Sequence, residues 1–308
     1  MSLKMVVLAK WVPDTKNITG NAMKEDGTVN RAALPAIFNP EDLNALEMAL
    51  QIKEQYGGHV TVMTMGIPAA AQLLRESLYR GADQVVLLTD RRFAVADTLA
   101  TSYTLAAAVR RLGDVDLVLC GRQAIDGDTA QVGPQTAQKL GWSQVTYVER
   151  IEALTEEMVR ARRSLGRGHE LWEAPLPALL TVVGSANEPR PPAAKLLVRY
   201  KRARSASEIE QAVNVELSRN GAKPDKDEVA RRAARIRDDL VAKGLLIPEW
   251  KVEDINAELH RVGKEGSPTK VKEIEFVVIQ AAETKMVEPT EEAIGQLMHE
   301  LIADHTLG

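Results

Sequence analysis

The stretch VDLVLCGRQAIDGDTAQVGP, residues 115–134, decides the fold class of this chain. Its first part is an uninterrupted apolar run, which is typical of a strand that is covered on both faces. The run then gives way to Gly, Asp, Gln and Thr, and a helical pattern begins at about residue 129. A buried strand followed by a polar loop and a helix is the repeating unit of an α/β protein with a parallel sheet.

Four more apolar runs of similar length support the same architecture. They predict strands at 5–9, 59–65, 84–88 and 178–184, and helical patterns lie at 41–55, 68–80 and 97–112. The helix boundaries carry ordinary signals: Asn39 stands at an N-cap, with Pro40 at the first helical position. We therefore expect residues 1–185 to form a doubly wound, mostly parallel sheet of Rossmann-like, nucleotide-binding type.

The remaining residues, 186–308, have a different pattern and are predicted as a second region. Just before it, residues 159–177 alternate polar and apolar positions, which predicts a small antiparallel hairpin laid onto the sheet. Three prolines within 185–195 then predict a loop that leaves the first domain. Residues 205–247 read as two exposed helices, each with a capping box, at 207–210 and at 225–228. An amphipathic helix follows at 289–305, within a C-terminal arm.

Composition excludes several classes of function. The net charge of −4 and an aromatic content of 4% give no surface for nucleic acid. No window of about 18 apolar residues is present to span a membrane, and the first ten residues resemble a strand more than a signal peptide. The expected compartment is the cytoplasm.

No constellation of reactive side chains is present either. Cys120 is the single cysteine, which excludes an internal disulfide, an iron–sulfur cluster and a thiolate zinc site. Burial at a strand end is its expected role. The two histidines of HELIADH, 299–305, are six residues apart instead of four and so miss one helix face. We expect no catalytic residue and no metal, so any reactivity would come from a bound cofactor.

The loop at 121–134 has the features of a phosphate site. It follows a strand at the carboxyl edge of the sheet, and Asp128 or Thr129 can cap the next helix, whose free N–H groups attract anions. Gly127 lets the backbone approach a ligand. Asp126 and Asp128 argue against a bare anion pocket; they suit either a hydroxylated sugar beside the phosphate or simple hydrogen bonding within the loop.

A second helix start of the same kind follows the strand at 84–88. Asp97 and Thr98 stand at its beginning, with Thr101 and Ser102 in its first turns. Two helix starts at neighbouring strand ends can hold two phosphate groups. The familiar nucleotide fingerprints are missing: there is no GxxxxGK[ST] motif, and LGRGHE lacks the third glycine of GxGxxG.

Several long motifs, in order, resemble the β subunit of electron-transfer flavoproteins. They are VLAKWVPDT (7–15), FNPEDLNALEMAL (38–50), GADQVVLLTDRRFAVADTLATS (81–102), GRQAIDGDTAQVGP (121–134) and ANEPR (186–190). The resemblance covers about residues 1–200 and resumes at 250–271, so 205–247 looks like an insertion. EDGTVNRAALPAIFNP (25–40), ADTLATS and DGDTAQVGP resemble the electron-bifurcating class of this family in particular.

The resemblance implies a cofactor and a set of residues that hold it. In the ordinary class the β subunit binds AMP; in the bifurcating class it binds FAD, which accepts hydride from NADH. The pattern here favours FAD, with AMP as the alternative. By position, the implied cofactor-binding residues are Ala9, Asn39, Gly66, Asp97, Thr98, Thr101, Ser102, Arg122, Gly127, Asp128, Thr129, Gln131 and Val132.

The resemblance also implies partners. The chain would pair with an α subunit that carries its own FAD, and would pass electrons to an acyl-CoA dehydrogenase and to ferredoxin. The segment at Asn187, Glu188, Pro189 and Arg190 would begin the surface that docks on the dehydrogenase. Such a chain is an electron carrier subunit that oxidises NADH only together with its α subunit. A non-bifurcating carrier and a nucleotide-sensing protein without redox activity remain as alternatives.

Overall fold

A nine-stranded sheet forms the centre of the protein. The computed structural model describes residues 3–14, 35–219, 225–269, 285–304 and 306. The strands are β1 (Lys4–Leu8), β2 (Trp11–Pro13), β3 (Ala36–Phe38), β4 (His59–Met65), β5 (Gln84–Leu88), β6 (Leu117–Gly121), β7 (Ser143–Leu154), β8 (Met158–Ser164), β9 (His169–Pro175), β10 (Ala178–Val182), β11 (Arg204–Ser205), β12 (Leu246–Ile247) and β13 (Glu249–Trp250). The helices are α1 (Pro40–Tyr56), α2 (Ala71–Arg80), α3 (Thr98–Leu112), α4 (Val132–Leu140), α5 (Ala194–Tyr200), α6 (Ala206–Ser218), α7 (Lys226–Ala242) and α8 (Glu291–Ala303).

The order of the large sheet is β13-β5-β4-β1-β6-β10-β7-β8-β9. From β13 to β7 every neighbouring pair is parallel, and only the pairs β7–β8 and β8–β9 are antiparallel, so β8 alone runs against the other strands. The chain moves outward from β1 to β4 and β5, and then returns to place β6 on the other side of β1. The five predicted strands are all present, and those at 59–65 and 84–88 have the predicted bounds.

Helices cover both faces of this sheet. Met5 and Val7 of β1 face one core, which includes residues of α1 and α2, while Val6 and Leu8 face a second core with residues of α3 and α4. Alternate side chains of a strand point to opposite faces, so the apolar run of β1 fills both cores. The result confirms a mixed α/β protein with a large, mostly parallel central sheet.

An antiparallel ribbon extends one edge of the sheet, and the sequence predicts only part of it. The predicted hairpin at 159–177 is present as β8 and β9, but it is not laid onto the sheet: it pairs with the 12-residue β7 and continues the sheet edge. β7 was not predicted, because its exposed side carries Glu149, Arg150 and Glu152 and interrupts the apolar pattern. Two register shifts also occur in its pairing with β8.

The C-terminal region adds helices and three short strands: β11 pairs with β12, and β13 joins the central sheet. Two helices are present within 205–247 as predicted, but the first capping box is wrong: it joins Ser205 to Glu208 and not Ser207 to Glu210. The second predicted box, 225–228, is not formed either: Asp225 caps the helix, but it accepts the N–H of Asp227 and not that of Glu228. α5 begins after the three prolines and was not predicted, and β13 pairs with β5. The division at residue 186 stays a prediction.

The C-terminal helix is α8, and its predicted apolar face is largely uncovered. Ile294, Met298 and Ile302 are about half exposed. His305, like residues 220–224 between the two inserted helices and the motif residues 25–34 and 270–271, lies outside the described residues. Within the described ranges, no helix is long and apolar enough to cross a membrane.

An ion pair fastens the inserted helices to the main domain. Both guanidinium nitrogens of Arg75, on α2, bond to the carboxylate of Glu208, on α6, at 2.8 and 2.9 Å. The two side chains are only 13% and 14% exposed. Glu208 also accepts the N–H of Ser205 at the start of α6, so this one carboxylate caps the helix and anchors it.

We expect Arg75→Ala to lower the free energy of unfolding by about 1–3 kcal/mol, because the substitution leaves the mostly buried carboxylate of Glu208 without its cation. Urea unfolding would measure this, and Arg231→Ala is the control. Arg231 is 71% exposed and pairs with Glu228 at the surface, so its loss should cost less than about 0.5 kcal/mol. Equal losses in the two variants would show that the Arg75 pair does not anchor α6.

Candidate nucleotide site

The carboxyl edge of the sheet opens between β1 and β6, where the chain leaves β1 in one direction and β6 in the other. Ala9 follows β1 and is buried; its N–H bonds to the carbonyl of Met63 on β4. Gly66 follows β4, and a Cβ there would lie 3.2 Å from the Cβ of Ala70, so a larger residue would crowd the turn. In a parallel sheet such an edge is where ligands bind.

Asp42, in the first turn of α1, joins both sides of this opening. Its carboxylate accepts the N–H of Gly121, at the end of β6, at 2.8 Å and the N–H of Lys10, after β1, at 2.9 Å. Gly121 must be a glycine here, because a Cβ would lie 2.7 Å from both the backbone nitrogen and a carboxylate oxygen of Asp42. One buried side chain therefore fixes the separation of the two strand ends.

Burial sets the protonation of this carboxyl. It raises the pKa of Asp42 to about 7, although the hydrogen bonds from Gly121, Lys10 and Asn39 and the charge of Lys10 lower it. The thiol of Cys120 next to Gly121 is also buried, as expected, and burial raises its pKa. A thiol that resists ionisation is a packing residue and not a nucleophile.

Asn39 holds the loop that follows β6. It stands at the N-cap of α1 as predicted, but its side chain makes no cap hydrogen bond. Instead its amide nitrogen donates to the carbonyl of Gln123 at 2.9 Å, and its amide oxygen accepts the N–H of Ile125 at 3.1 Å. Asn39 is fully buried, so the start of the loop is attached to the scaffold.

Three charged contacts hold the rest of the loop. Arg122 pairs with Glu41 at 2.9 Å. Lys10 pairs with Asp126 at 2.7 Å. The amide nitrogen of Gln123 donates to Asp128 at 2.8 Å. Asp126 and Asp128 thus have partners within the protein, which fits the plainer of the two roles that the sequence left open for them.

The loop ends at a helix start that has no capping side chain. The N-cap of α4 is Gln131, and its side chain makes no cap bond, so the expected capping by Asp128 or Thr129 is wrong. Asp128 and Ala130 have positive φ, 48° and 53°, just before it. Backbone that alternates between left-handed and right-handed conformations turns successive N–H groups to one side, where they can bind an anion. Gly127 and Thr129 are exposed on this rim.

The start of α3 lies against the start of α4. The hydroxyl of Thr98 donates to the side-chain oxygen of Gln131 at 2.9 Å, and the hydroxyl of Ser102 donates to that of Gln135 at 3.2 Å. Thr101 is half-buried one turn into α3, and Val132 packs partly against the core below α4. The two predicted helix starts are therefore side by side.

Asp97 caps α3, as predicted, and also binds a segment that the sequence did not connect with it. Its carboxylate accepts the N–H of Ala100 at 3.0 Å and the N–H of Thr269 at 3.0 Å, and its own N–H donates to the hydroxyl of Ser267 at 2.8 Å. Burial raises the pKa of Asp97, but these backbone N–H donors outweigh it and lower the pKa overall. The C-terminal region thereby closes over one side of the α3 start.

The predicted docking residues lie elsewhere, along α1. Asn187 exchanges hydrogen bonds with Asn44, and Arg190 pairs with Glu47 at 2.8 Å and also with Glu54. Glu188 is exposed and Pro189 half-buried between these two anchors. The arginine lowers the pKa of the carboxyl of Glu47, although burial raises it.

The sequence did not indicate the residues whose hydrogen bonds hold the loop and the helix starts of the site in place. Asp42, Lys10 and Gln123 were not candidates, and neither was Ser267. The one signal for Asp42 in the sequence was its position after Asn39 and Pro40 at a helix start. That position is explained equally well by the favourable interaction of an acidic side chain with the helix dipole. Among the described residues, no group of three or more His, Cys, Asp or Glu is placed to hold a metal ion.

The pH dependence of stability tests the state of Asp42. Its pKa rises from 3.8 to about 7 on folding, so the folded protein binds the extra proton between these values and stability falls as the pH rises through them. Relative to Asp42→Asn, we expect wild type to lose on the order of 2–3 kcal/mol of unfolding free energy between about pH 5 and pH 8. Asp114→Asn, at a side chain that is 91% exposed, should follow wild type. Parallel profiles of wild type and Asp42→Asn would contradict the buried, raised pKa.

Comparisons with known proteins agree on one family. The electron transfer flavoprotein domain matches residues 26–215. The chain is 38% identical to the electron transfer flavoprotein subunit beta of Clostridium acetobutylicum over 303 residues, 98% of this chain and 99% of that protein. It is 50% identical to the caffeyl-CoA reductase-Etf complex subunit CarD of Acetobacterium woodii over 189 residues, 61% and 71% of the two chains.

A third relative carries a related name. The acryloyl-CoA reductase electron transfer subunit gamma of Anaerotignum propionicum is 45% identical over 183 residues, 59% of this chain and 67% of that protein. The domain match covers more than half of the chain, and the clostridial relative is matched along almost its whole length. This chain therefore belongs to the electron transfer flavoprotein family and is a homologue of its β subunits.

Proposed function

We propose that the chain is the β subunit of a heterodimeric electron-transfer flavoprotein and that it binds FAD at the carboxyl edge between β1 and β6. The observation that carries this proposal is the bond between Thr98 and Gln131, 2.9 Å long, which joins the starts of α3 and α4. A dinucleotide has two phosphates and a ribityl chain. A continuous rim of hydroxyls, amides and N–H groups extends over two helix starts. Such a rim suits a dinucleotide better than it suits a ligand with a single phosphate.

Each part of the site has a defined task in this proposal. The uncapped start of α4 and the positive-φ backbone before it would bind phosphate. Thr98 and Thr101 would offer hydroxyls to the second phosphate or the ribityl chain. Ser102 is fully buried and would instead hold Gln135 in place. Ala9 and Gly66, at the ends of β1 and β4, would let the adenosine lie flat against the sheet edge. Asn39, Asp42 and Arg122 would not touch the ligand but would hold the loop in place.

The chemistry would belong to the cofactor. A bound flavin can accept a hydride from NADH and release its electrons one at a time. We infer that one electron passes to ferredoxin and the other through the FAD of the α subunit to an acyl-CoA dehydrogenase. The names of two relatives, which speak of a caffeyl-CoA reductase complex and of an acryloyl-CoA reductase, support an acyl-CoA partner. The protein's own contribution would be to orient the flavin and to limit its contact with water, in the cytoplasm.

One observation favours the alternative of a non-bifurcating subunit that binds AMP. The Asp97 carboxylate already accepts the N–H of Ala100 and takes the helix cap of α3, so only α4 offers an open helix start. A ligand with a single phosphate, such as AMP, needs only one open helix start. A nucleotide sensor without redox activity is disfavoured, because the relatives are named for electron transfer.

Nucleotide content decides between FAD and AMP. The chain would be co-expressed with its α subunit, the complex denatured, and FAD and AMP quantified per heterodimer. We expect two FAD and no AMP, together with reduction of the second flavin by NADH. One FAD and one AMP would overturn the FAD proposal and make the chain an ordinary carrier.

A pair of asparagines on α1 tests the geometry of the loop. We expect Asn39→Ala to weaken nucleotide binding by about tenfold or more, because the loop loses both hydrogen bonds that anchor it. Equilibrium dialysis of the complex with the released nucleotide would measure this. Asn44→Ala is the matched control: it is equally buried on the same helix but bonds only the segment at Asn187.

Asn44→Ala should keep nucleotide affinity and instead slow electron transfer to the dehydrogenase, since the segment from Asn187 to Arg190 is our proposed docking surface. If both variants lost nucleotide equally, the effect would come from α1 as a whole. If neither did, the loop would not be the binding element.

A further inference from the structure

A second cavity lies apart from the loop between β6 and α4. It is an open cavity of about 840 Å³, bordered by the carboxyl ends of β4 and β5 and by the inserted helix α6. Ile67 and Thr89 line it from the sheet, Arg91 and Lys251 from the loops, and Glu210 and Gln211 from α6. None of the described residues of the loop 122–133 borders it.

Thr89 offers a hydroxyl to this cavity. The residue is only 9% exposed and follows β5, and its backbone N–H is bonded to the carbonyl of Trp250. Within the described part of the chain its hydroxyl makes no hydrogen bond, although it lines the cavity. A hydroxyl that lines a cavity can donate a hydrogen bond to a ligand there and can also accept one.

Two cations that line the cavity form no ion pair among the described residues. Arg92 is paired with Asp90 and Glu253, whereas Arg91 and Lys251 form no ion pair with any described residue. The charged residues that line the cavity are three cations and two carboxylates, which gives a net charge of +1. An anion is therefore favoured at the end of the cavity where Arg91 and Lys251 lie.

The face of α6 that borders the cavity is polar. It consists of Ser207, Glu210, Gln211 and Asn214, which recur at the spacing of one helix face. Ser207 is held by Glu249, but the carboxylate of Glu210 and the amide of Gln211 are unpartnered among the residues described. A carboxylate that lines a cavity suits a ligand with hydroxyl groups, because each of its oxygens accepts a hydrogen bond.

We propose that this cavity binds a phosphorylated sugar. The phosphate would lie between Arg91 and Lys251, and the sugar hydroxyls would bond to Glu210 and to the hydroxyl of Thr89. A cavity of this size holds a molecule of that class. The sugar phosphate could be free or part of a mononucleotide, whose base would then lie on Ile67, a side chain that is 70% exposed. The site depends on neither flavin nor AMP and so is independent of the proposed function.

Calorimetric titration of the α/β complex, saturated with its own nucleotides, tests the proposal with ribose 5-phosphate, UMP and inorganic phosphate as probes. We expect saturable binding of ribose 5-phosphate, weakened about tenfold or more by Arg91→Ala and clearly weakened by Thr89→Val, which keeps the buried volume. Arg235→Ala, at an exposed cation on α7 away from the cavity, should bind as wild type does. Tighter binding of UMP than of ribose 5-phosphate would identify a mononucleotide as the source; equal binding would identify a free sugar phosphate.

Three results would overturn the proposal. The first is no binding of ribose 5-phosphate up to about 10 mM, which includes the case of a partner chain that fills the cavity. The second is equal affinity for inorganic phosphate and for ribose 5-phosphate, because the sugar hydroxyls would then make no favourable contact with the cavity. The third is wild-type affinity in Arg91→Ala.

Discussion

The carboxylate of Asp42 is the contact on which the site depends. By accepting the N–H groups of Lys10 and Gly121 it bridges the two central strands at the point where their connections diverge. A parallel sheet leaves a gap at that point, and most proteins of this architecture place a ligand in it. Here a buried acid occupies the base of the gap, so whatever binds must lie above Asp42, on the loop that Asn39 holds in place.

The same helix connects two regions that the sequence assigns to different tasks. Through Asn39 and Asp42 the first turn of α1 holds the loop, and through Asn44 and Glu47 its next turns hold the segment before α5. The core side of α1 is packed against the sheet, so α1 is a rigid support for both. A change in the position of α1 would therefore reach the candidate nucleotide site and the proposed docking segment together, without a flexible element between them.

Local signals predicted the fold, and long-range contacts escaped prediction. Strands at 59–65 and 84–88 follow from continuous apolar runs, and the cap at Asp97 follows from its neighbours. The partners of Asn39, Asp42 and Asp97 lie 84, 79 and 170 residues away, where no periodicity of the sequence reports them. The strand β7 also forms through tertiary contacts, because its polar residues interrupt the apolar pattern by which a strand is recognised in the sequence. The site residues that resemblance supplied lie on one edge of the sheet, while the contacts that position them appear only in three dimensions.

Two adjacent helix starts with opposite properties give the site a direction. Asp97 satisfies the first N–H groups of α3 and places a negative charge there, which repels a phosphate that would approach that end directly. α4 begins without a cap, after residues whose positive φ turns the backbone N–H groups outward. An anionic group would therefore be drawn to α4, while α3 would contribute the neutral hydroxyl of Thr98. A ligand with phosphate at one end and hydroxyls along its length would fit this asymmetry in only one orientation, so the electrostatics of the two helix starts would determine which end of the proposed nucleotide lies towards α4.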